Sequence, residues 1–354
     1  MPDLVGVGAI NLDFILDPTR VAGLTADERA DVLARFDHGG ERAATEPEIR
    51  DALRQLARLG PVVSPGGSAL NTVTVAARSC GVSVGYVGVC GRSPGERFDF
   101  PAWFREVGVD TRHVRPNART CGLCVSYTHR GQRSLLTWDG ANDEIFAYVE
   151  AGTDALVLYC ATARVVHVTS FVGGQDPAAL ARLLRRLRDE HPGVLISVDP
   201  GAGWSVPDRP PGVEGLVDVA DLVFVNAAEF DGWTGRPAGG TNLDAARRFF
   251  RDRPAMSGAL VVKRRDGVEL FVRGIGDVVA RAFPGAVMLD SSAVLDDTGA
   301  GDAFAAGFLS GVGVLGLDTD EAVALGQRLA REQLQSVGML GPPRMGRGGG
   351  MLPR

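Results

Sequence analysis

The chain has 354 residues, a hydrophobic fraction of 45% and a net charge of −6, with acidic and basic residues interspersed. This length suits one large α/β unit with an accessory element, and the dispersed charge argues against nucleic acid or an anionic membrane as the main partner. The odd number of cysteines, five, and a start without a basic secretory region predict reduced thiols in a cytoplasmic protein that has no membrane-spanning run.

The first predicted elements are a strand, two capped helices and a third helix that follows a glycine turn. The opening DLVGVGAI predicts a strand. Thr25 with Glu28, and Thr45 with Glu48, have the spacing of capping boxes, so each pair predicts a helix start. The turn SPGG leads into a further helix that Gly81 ends, and the run VSVGYVGVCG predicts a buried strand.

The segment from Arg119 to Trp138, RTCGLCVSYTHRGQRSLLTW, predicts a β-hairpin with its turn at HRGQ. Its CGLC sequence has the spelling of half a redox or metal motif. The cysteines lie in a strand-like run, however, and have neither a second cysteine pair nor a histidine-rich partner. We therefore expect a structural role for Cys121 and Cys124.

From Val165 onward, short apolar runs alternate with helical stretches. The runs VVHVTSF, GVLISVDP, DLVFVNAAE and ALVVKRRD predict buried strands. This alternation indicates a mostly parallel sheet with helices on both faces. Ligands of such sheets bind beyond the carboxyl ends of the strands, where HVTSF, SVDPG and FVNAAE each bring polar residues.

The stretch DDTGAGDAF directly precedes and opens an apolar helix. Gly299, Ala300 and Gly301 have small or absent side chains, so their N–H groups can approach a bound oxyanion at the positive end of the helix. Asp302 could accept the proton of an attacking hydroxyl, and phosphoryl transfer needs this combination. The alternative is a flexible turn with an aspartate that caps the helix.

Three stretches together resemble the ribokinase-like (PfkB-type) carbohydrate and nucleoside kinase family. DDTGAGDAFAAGF resembles its C-terminal signature, residues 66–91 resemble its N-terminal signature, and NAAE resembles its Asn-x-x-Glu motif. The order and spacing match, and the likeness covers residues 3 to about 340. It implies an α/β fold, a three-layer αβα sandwich with a central, mostly parallel sheet and a small β lid.

The resemblance implies one kinase domain over residues 1–340, with a lid from about 11–62 and 115–140. The tail, residues 341–354, is predicted to be disordered. The implied partners are ATP and a sugar or nucleoside acceptor, with no nucleic acid and no membrane. Both a monomer and a homodimer are compatible with the sequence.

The resemblance also implies roles for single residues. Asp302 would be the catalytic base, and Gly299, Ala300 and Gly301 would form the anion hole for the transferred phosphoryl group. The residues implied to bind the acceptor are Asn11, Asp13, Gly66, Gly67 and Asn71. The residues implied to contact ATP are Asn226, Gly267 and Thr298, and Lys263 is predicted to contact it through its basic side chain.

The implied metals are Mg²⁺, held through water by Glu229, and a monovalent cation, K⁺, at Asp296 in some members of the family. Simpler roles stay open beside these: Asn11 and Asp13 could end a strand, and Asn226 could cap a helix. Asp296 and its neighbour Thr298 could shape only the turn.

The chain departs from the family pattern on the nucleotide side. Where the family often has a Thr-x-Gly-like turn, this chain reads VVKRRDG, and only Gly267 is a clear match. Lys263 could contact a phosphate or be solvated. Arg92 stands where many members have an aspartate.

Other classes of function are disfavoured. GVGVLG has dinucleotide-binding spelling but follows a helix instead of a strand, and no P-loop spelling occurs. A non-catalytic relative would have no need to keep Asp302.

Among acceptors, the sequence favours the primary hydroxyl of a sugar or sugar-containing molecule, with a nucleoside as the alternative. A nucleoside base would need an apolar clamp, for which Phe14, Tyr127 and Trp138 are candidates.

Overall fold

The computed structural model describes residues 1–16, 21, 23–36, 39–129, 132–235, 240–285, 294, 296 and 298–340. The two central residues of the predicted HRGQ turn and the predicted tail, residues 341–354, lie outside this described part. Strands and helices alternate along it, and the strands form one large and one small sheet.

Among the described residues, the strands are β1 (Leu4–Val7), β2 (Asn11–Ile15), β3 (Gly40–Ala43), β4 (Val62–Gly66), β5 (Val84–Arg92), β6 (Val109–Thr120), β7 (Gly122–His129), β8 (Gln132–Trp138), β9 (Val165–Thr169), β10 (Leu195–Asp199), β11 (Leu222–Asn226), β12 (Ala259–Arg264), β13 (Gly267–Arg273) and β14 (Val278–Pro284).

The α-helices of the same part are α1 (Ala26–Arg35), α2 (Glu46–Leu56), α3 (Ser68–Cys80), α4 (Phe100–Val107), α5 (Ile145–Cys160), α6 (Ala178–Glu190), α7 (Gly201–Trp204), α8 (Pro211–Asp218), α9 (Ala227–Thr234), α10 (Asn242–Asp252), α11 (Ala300–Ser310) and α12 (Thr319–Gln333).

The large sheet has the strand order β6-β5-β1-β9-β10-β11-β12-β13-β14. The pairs from β6 to β12 are parallel, and β13 and β14 are added antiparallel. All five residues of β9 are buried, as expected for a strand inside a parallel sheet that is covered on both faces. The predicted mostly parallel sheet is confirmed.

Two hydrophobic cores lie on the two faces of this sheet. Successive side chains of a strand point to opposite faces, so Leu4 belongs to one core and Val5 to the other. Helices α3, α11 and α12 contribute to the core that contains Leu4, whereas α5, α6, α8 and α10 contribute to the core that contains Val5. The result is the three-layer αβα arrangement predicted from the sequence.

The small sheet has the strand order β3-β8-β7-β2-β4. Three residues separate the end of β1 from the start of β2, so this sheet lies next to the carboxyl end of β1. The predicted hairpin is present as the antiparallel pair of β7 and β8. Residues 115–120 were wrongly assigned to the lid, because they continue the parallel pairing of β6 with β5 in the large sheet.

The local signals in the sequence correctly located the helix ends. Thr45 and Glu48 form a complete capping box at the start of α2. Gly81 follows the end of α3 with a φ of 67°, a left-handed conformation that favours glycine. In the described part of the chain, no helix is both long enough and apolar enough to cross a membrane.

The CGLC cysteines are buried free thiols. Cys121 links β6 to β7, Cys124 lies in β7, and burial raises the pKa of Cys121 to about 12. Such thiols stay protonated and unreactive. Within the described ranges, no group of three or more His, Cys, Asp or Glu residues could hold a metal ion. The burial of both thiols agrees with the structural role expected for this motif.

Candidate active site

Asp302 lies in the first turn of α11, where the sequence predicted a catalytic carboxylate. Gly299 precedes the helix with a φ of 75°, a left-handed conformation that any other residue would strain to adopt. The first amides of a helix have no partner within the helix, and the helix dipole adds positive potential there. The GAG sequence therefore brings a helix start with positive potential next to a carboxylate.

Two residues of α3 hold the Asp302 side chain. The Ser68 hydroxyl donates to Oδ1 at 2.5 Å, and the Asn71 amide Nδ2 donates to Oδ2 at 2.7 Å. Burial raises the pKa of Asp302, while these hydrogen bonds and the charge of Lys263 act in the opposite direction. A carboxylate has about four acceptor positions, so two remain for an incoming hydroxyl.

Lys263 at the end of β12 lies beside the start of α11. A Cβ atom on Gly301 would come within 3.3 Å of its ammonium nitrogen, so glycine allows this close approach. Lys263 Nζ is 2.6 Å from Oδ2 of Asp199, and both side chains are largely buried. Burial lowers the pKa of Lys263, but the charges of Asp199 and Glu229 outweigh this effect and raise it. The ammonium is therefore charged at neutral pH.

Asn226 and Glu229 form a capping box at the start of α9. Asn226 Oδ1 accepts from the amides of Ala228 and Glu229, and Glu229 Oε2 accepts from the Asn226 amide at 2.7 Å. The alternative reading of Asn226 as a helix cap is thus present in the structure. Burial, followed by repulsion from Asp199, raises the pKa of Glu229 to about 7.

Asp13 in β2 faces the glycine turn. A Cβ atom on Gly66 would be 2.1 Å from Asp13 Oδ2, so only glycine leaves space for the carboxylate. Asp13 is 8% exposed, and its Oδ1 is buried without a hydrogen-bond partner among the described residues. Burial raises its pKa to about 7, with a further increase from the charge of Glu41 and a decrease from Arg133. Desolvation is thus the main effect.

Asn11 is held by a residue that the sequence did not indicate. Asn142 Nδ2 donates to Asn11 Oδ1 at 2.8 Å, and Asn142 Oδ1 accepts from the Ile10 amide at 2.9 Å. Gly67 has a φ of 107°, and a Cβ atom there would be 2.1 Å from the Ala9 carbonyl oxygen. The glycine turn therefore packs directly on the chain that leads into β2.

Asp296 and Thr298 form part of an internal hydrogen-bond network. Asp296 Oδ1 accepts from the Thr298 amide at 3.0 Å and hydroxyl at 2.6 Å, and Asp296 Oδ2 accepts from the Gly338 amide at 3.0 Å. Gln333 also donates to the Thr298 carbonyl oxygen at 3.1 Å. These contacts connect the loop before α11 to the segment after α12, which agrees with the turn-shaping alternative.

Gly267 begins β13 in the turn that joins it to β12. Its φ is 152°, and a Cβ atom would be 2.2 Å from the Phe283 carbonyl oxygen of the adjacent strand β14. Glycine is thus required by the packing of the hairpin. Its predicted contact with ATP stays a prediction.

Sequence reasoning missed Ser68, Asn142 and Asp199. Ser68 stands in the GGSALN turn, and Asp199 stands in SVDPG at a strand end where a ligand was expected, so both had a positional signal. The sequence carried no such signal for Asn142, because its contacts with Ile10 and Asn11 span more than 130 residues of sequence.

The three aromatic candidates for a base clamp lie on the wrong face of the small sheet. Asp13 pairs with Cys124, whereas Phe14 pairs with Val125, and neighbouring residues of a strand point to opposite faces. Phe14 and Tyr127 are buried in the core beneath the sheet, and the Tyr127 ring lies 5.8 Å from that of Phe36. Trp138, paired with Leu123, packs against the same core.

A carboxylate at a glycine-led helix start, next to a buried lysine, supplies the positioning and charge stabilisation that a phosphotransferase needs. Residues 57–343 match the sequence model of the pfkB family carbohydrate kinases. The chain therefore belongs to this family. The family resemblance and the fold predicted from the sequence are both confirmed.

Relatives of this chain include kinases of both acceptor types. The chain is 26% identical to an adenosine kinase from Saccharomyces cerevisiae, over 95% of each protein. It is also 26% identical to a fructokinase from Escherichia coli, over 73% of this chain and 80% of the fructokinase. It matches an adenosine kinase from Schistosoma mansoni in complex with 2-fluoroadenosine with a TM-score of 0.80 and 18% identity, over 97% and 98% of the two chains. The protein is an ATP-dependent carbohydrate or nucleoside kinase.

Proposed function

We propose that the protein transfers the terminal phosphoryl group of ATP to the primary hydroxyl of a sugar or sugar-containing molecule, with Asp302 as the general base. The observation that carries this proposal is the position of Asp302. Its carboxylate belongs to an anion-binding helix start, yet its hydrogen bonds come from α3, which follows the glycine turn of the acceptor side. A hydroxyl bound between the two can lose its proton to Asp302 as it attacks phosphorus.

On the acceptor side, Asn11 and Asp13 bind acceptor hydroxyls in our proposal. The Asp13 carboxylate has an oxygen to which no described residue donates a hydrogen bond, and a ring hydroxyl would supply that donor. Gly66 and Gly67 leave room for that carboxylate and for the turn, and Asn71 orients Asp302. The acceptor is thus oriented with its primary hydroxyl toward Asp302.

On the phosphate side, the amides of Gly299, Ala300 and Gly301 receive the migrating group. The Lys263 ammonium, beside the same helix start, would stabilise the negative charge that builds up on the equatorial oxygens. We propose further ATP contacts for Asn226, Gly267 and Thr298 on the family resemblance alone.

Mg²⁺ would be held near Glu229 and Asp199. These residues fit a divalent cation, since carboxylate oxygens are ligands that Mg²⁺ prefers, and bound positive charge would offset the burial and the repulsion from Asp199 that raise the Glu229 pKa. An ion bound mainly by phosphate and water needs only one or two carboxylates and supplies charge neutralisation. The contacts of Asp296 give no support to K⁺ there, because its oxygens already accept protein donors.

The small sheet acts in our proposal as a lid that closes over the acceptor. It carries Asn11 and Asp13 at the start of β2, so closure would exclude water from the attacking hydroxyl and from ATP. A cytoplasmic location and a monomeric or homodimeric state stay predictions from the sequence.

A nucleoside is the second candidate acceptor. The likeness to the yeast adenosine kinase extends over nearly the whole chain and favours it. The orientation of Phe14, Tyr127 and Trp138 argues against the clamp that the sequence suggested for a base.

The experiment is ADP release measured with D-fructose, D-ribose and adenosine, for the wild type and for Asp302→Asn. The substitution should lower kcat by about 10²–10⁴-fold, as expected for the loss of a general base. The variant should still bind the acceptor, so that adding acceptor raises the melting temperature of the variant. Asp154→Asn, at an exposed position on α5, is the control and should be unaffected. Full activity of Asp302→Asn would refute the role of Asp302, and no wild-type turnover with any acceptor would favour a non-catalytic relative.

A further inference from the structure

Glu41 in β3 lies on the same face of the small sheet as Asp13. Asp13 is directly opposite Cys124, Cys124 is opposite Thr137, and Thr137 is opposite Ala43. Residues opposite one another in a sheet share a face, and so do residues two apart along a strand. The row that begins at Asp13 ends at Ala43, and Glu41, two residues before Ala43 on β3, therefore lies on the same face.

The contacts of Glu41 orient it into the protein. Gly40, Arg42 and Ala43 are exposed, whereas Glu41 is half-buried. The Thr137 hydroxyl donates to Glu41 Oε1 at 2.8 Å and lies 3.4 Å from Cys124 Sγ. An exposed edge strand would normally direct such a carboxylate into water, so this inward orientation is an exception that needs a reason.

Charge interactions link Glu41 to three other groups, which are Asp13, Arg133 and Asp302. Arg133, two residues before Leu135 on β8, lowers the pKa of both Asp13 and Glu41. The charge of Asp302 raises the pKa of Glu41, although burial is the larger cause. Glu41 thus faces the same space as the proposed catalytic base and the proposed acceptor-binding carboxylate.

An independent sign that this space takes a ligand is Asp13 Oδ1, which is buried and lacks a donor among the described residues. A buried acceptor without a partner costs roughly 1–3 kcal/mol. Asp13 Oδ1 is therefore placed to accept a hydrogen bond from a bound molecule.

We propose that Glu41 is a second acceptor-binding carboxylate, which selects a neutral, hydroxyl-rich sugar over a nucleoside. The inference rests on the proposed kinase function and deepens it. Sugar hydroxyls can donate to both carboxylates at once. The largely apolar face of a base would desolvate Glu41 without donating to it, which is unfavourable. A sugar phosphate would be repelled by Asp13 and Glu41 together.

The test compares Glu41→Gln and Glu41→Ala with the wild type, using D-fructose, D-ribose and adenosine as probes. The inference predicts that the wild type prefers a sugar. Glu41→Ala should raise the KM for that sugar tenfold or more, with the KM for ATP and kcat changed less than threefold. Glu41→Gln keeps the shape of the side chain and should have an intermediate effect. Glu46→Gln, an exposed carboxylate in the first turn of α2, is the matched control.

Three outcomes would overturn the inference. A sugar KM that stays unchanged in Glu41→Ala would remove Glu41 from the acceptor site and leave the kinase function intact. If Glu41→Ala raised the KM for the sugar and the KM for ATP by the same factor and also lowered the melting temperature, the role of Glu41 would be structural. Wild-type activity with adenosine alone would refute the selection of sugars, whereas no turnover with any probe would refute the proposed function itself.

Discussion

Replacing Asp13 by Asn should stabilise the protein at neutral and alkaline pH while it weakens acceptor binding. Burial raises the pKa of this carboxyl from 3.8 to about 7. The folded protein therefore holds this proton more tightly than the unfolded chain does, and the associated stability is present at low pH and lost as the pH rises from about 4 through 7. Asn has no such titration.

The magnitude follows from the shift of about three pKa units. At about 1.4 kcal/mol per unit, the ionised Asp13 side chain costs up to roughly 4 kcal/mol above pH 7. The free energy of unfolding of Asp13→Asn, relative to the wild type, should rise by up to about that amount between pH 4 and pH 8. Glu41, Glu229 and Asp302 are common to both proteins, so most of their own pH dependence cancels in the difference.

The assay is urea unfolding at pH 4, 5, 6, 7 and 8 for both proteins, together with the KM for the acceptor at pH 8. Asp154→Asn serves as a reference for replacing an exposed aspartate. A difference in unfolding free energy that does not change with pH would refute the reasoning, since it would mean that Asp13 is not desolvated. Gained stability together with lost acceptor affinity would identify Asp13 as a residue kept for function at a cost in stability.

Two further predictions concern the phosphate and acceptor sides. Lys263→Met should lower kcat about 10²–10³-fold, and because Lys263 lowers the pKa of Asp302, the acidic limb of the kcat/KM profile should move to higher pH. A pH profile that stays in place would contradict this coupling. Gly66→Ala should raise the acceptor KM about tenfold or more, because its Cβ would be 2.1 Å from the Asp13 carboxylate. Gly193→Ala is the control, because no described atom lies within 4 Å of a Cβ atom built there, and equal effects of the two substitutions would exclude the steric explanation.

Much of the fold could be predicted because its signals are local. The capping box at Thr45, the left-handed glycine after α3 and the alternation of apolar strands with helices depend on neighbouring residues only. The position of Asp302 at a glycine-led helix start was likewise evident, since the glycines, the carboxylate and the helix lie within about a dozen residues.

The sequence by itself therefore determined the layered α/β fold, the family and the carboxylate that we propose as the base. Only the tertiary structure decided which distant residues contact it: Ser68 and Asp302 are 234 positions apart, and Asp199 and Lys263 are 64 apart. The register between β2, β7, β8 and β3 also decided that Glu41 shares a face with Asp13 and that the aromatic residues do not. Side chains alternate with a period of two, so a one-residue change of register would exchange these faces, and no local pattern specifies the register between strands so far apart in the chain.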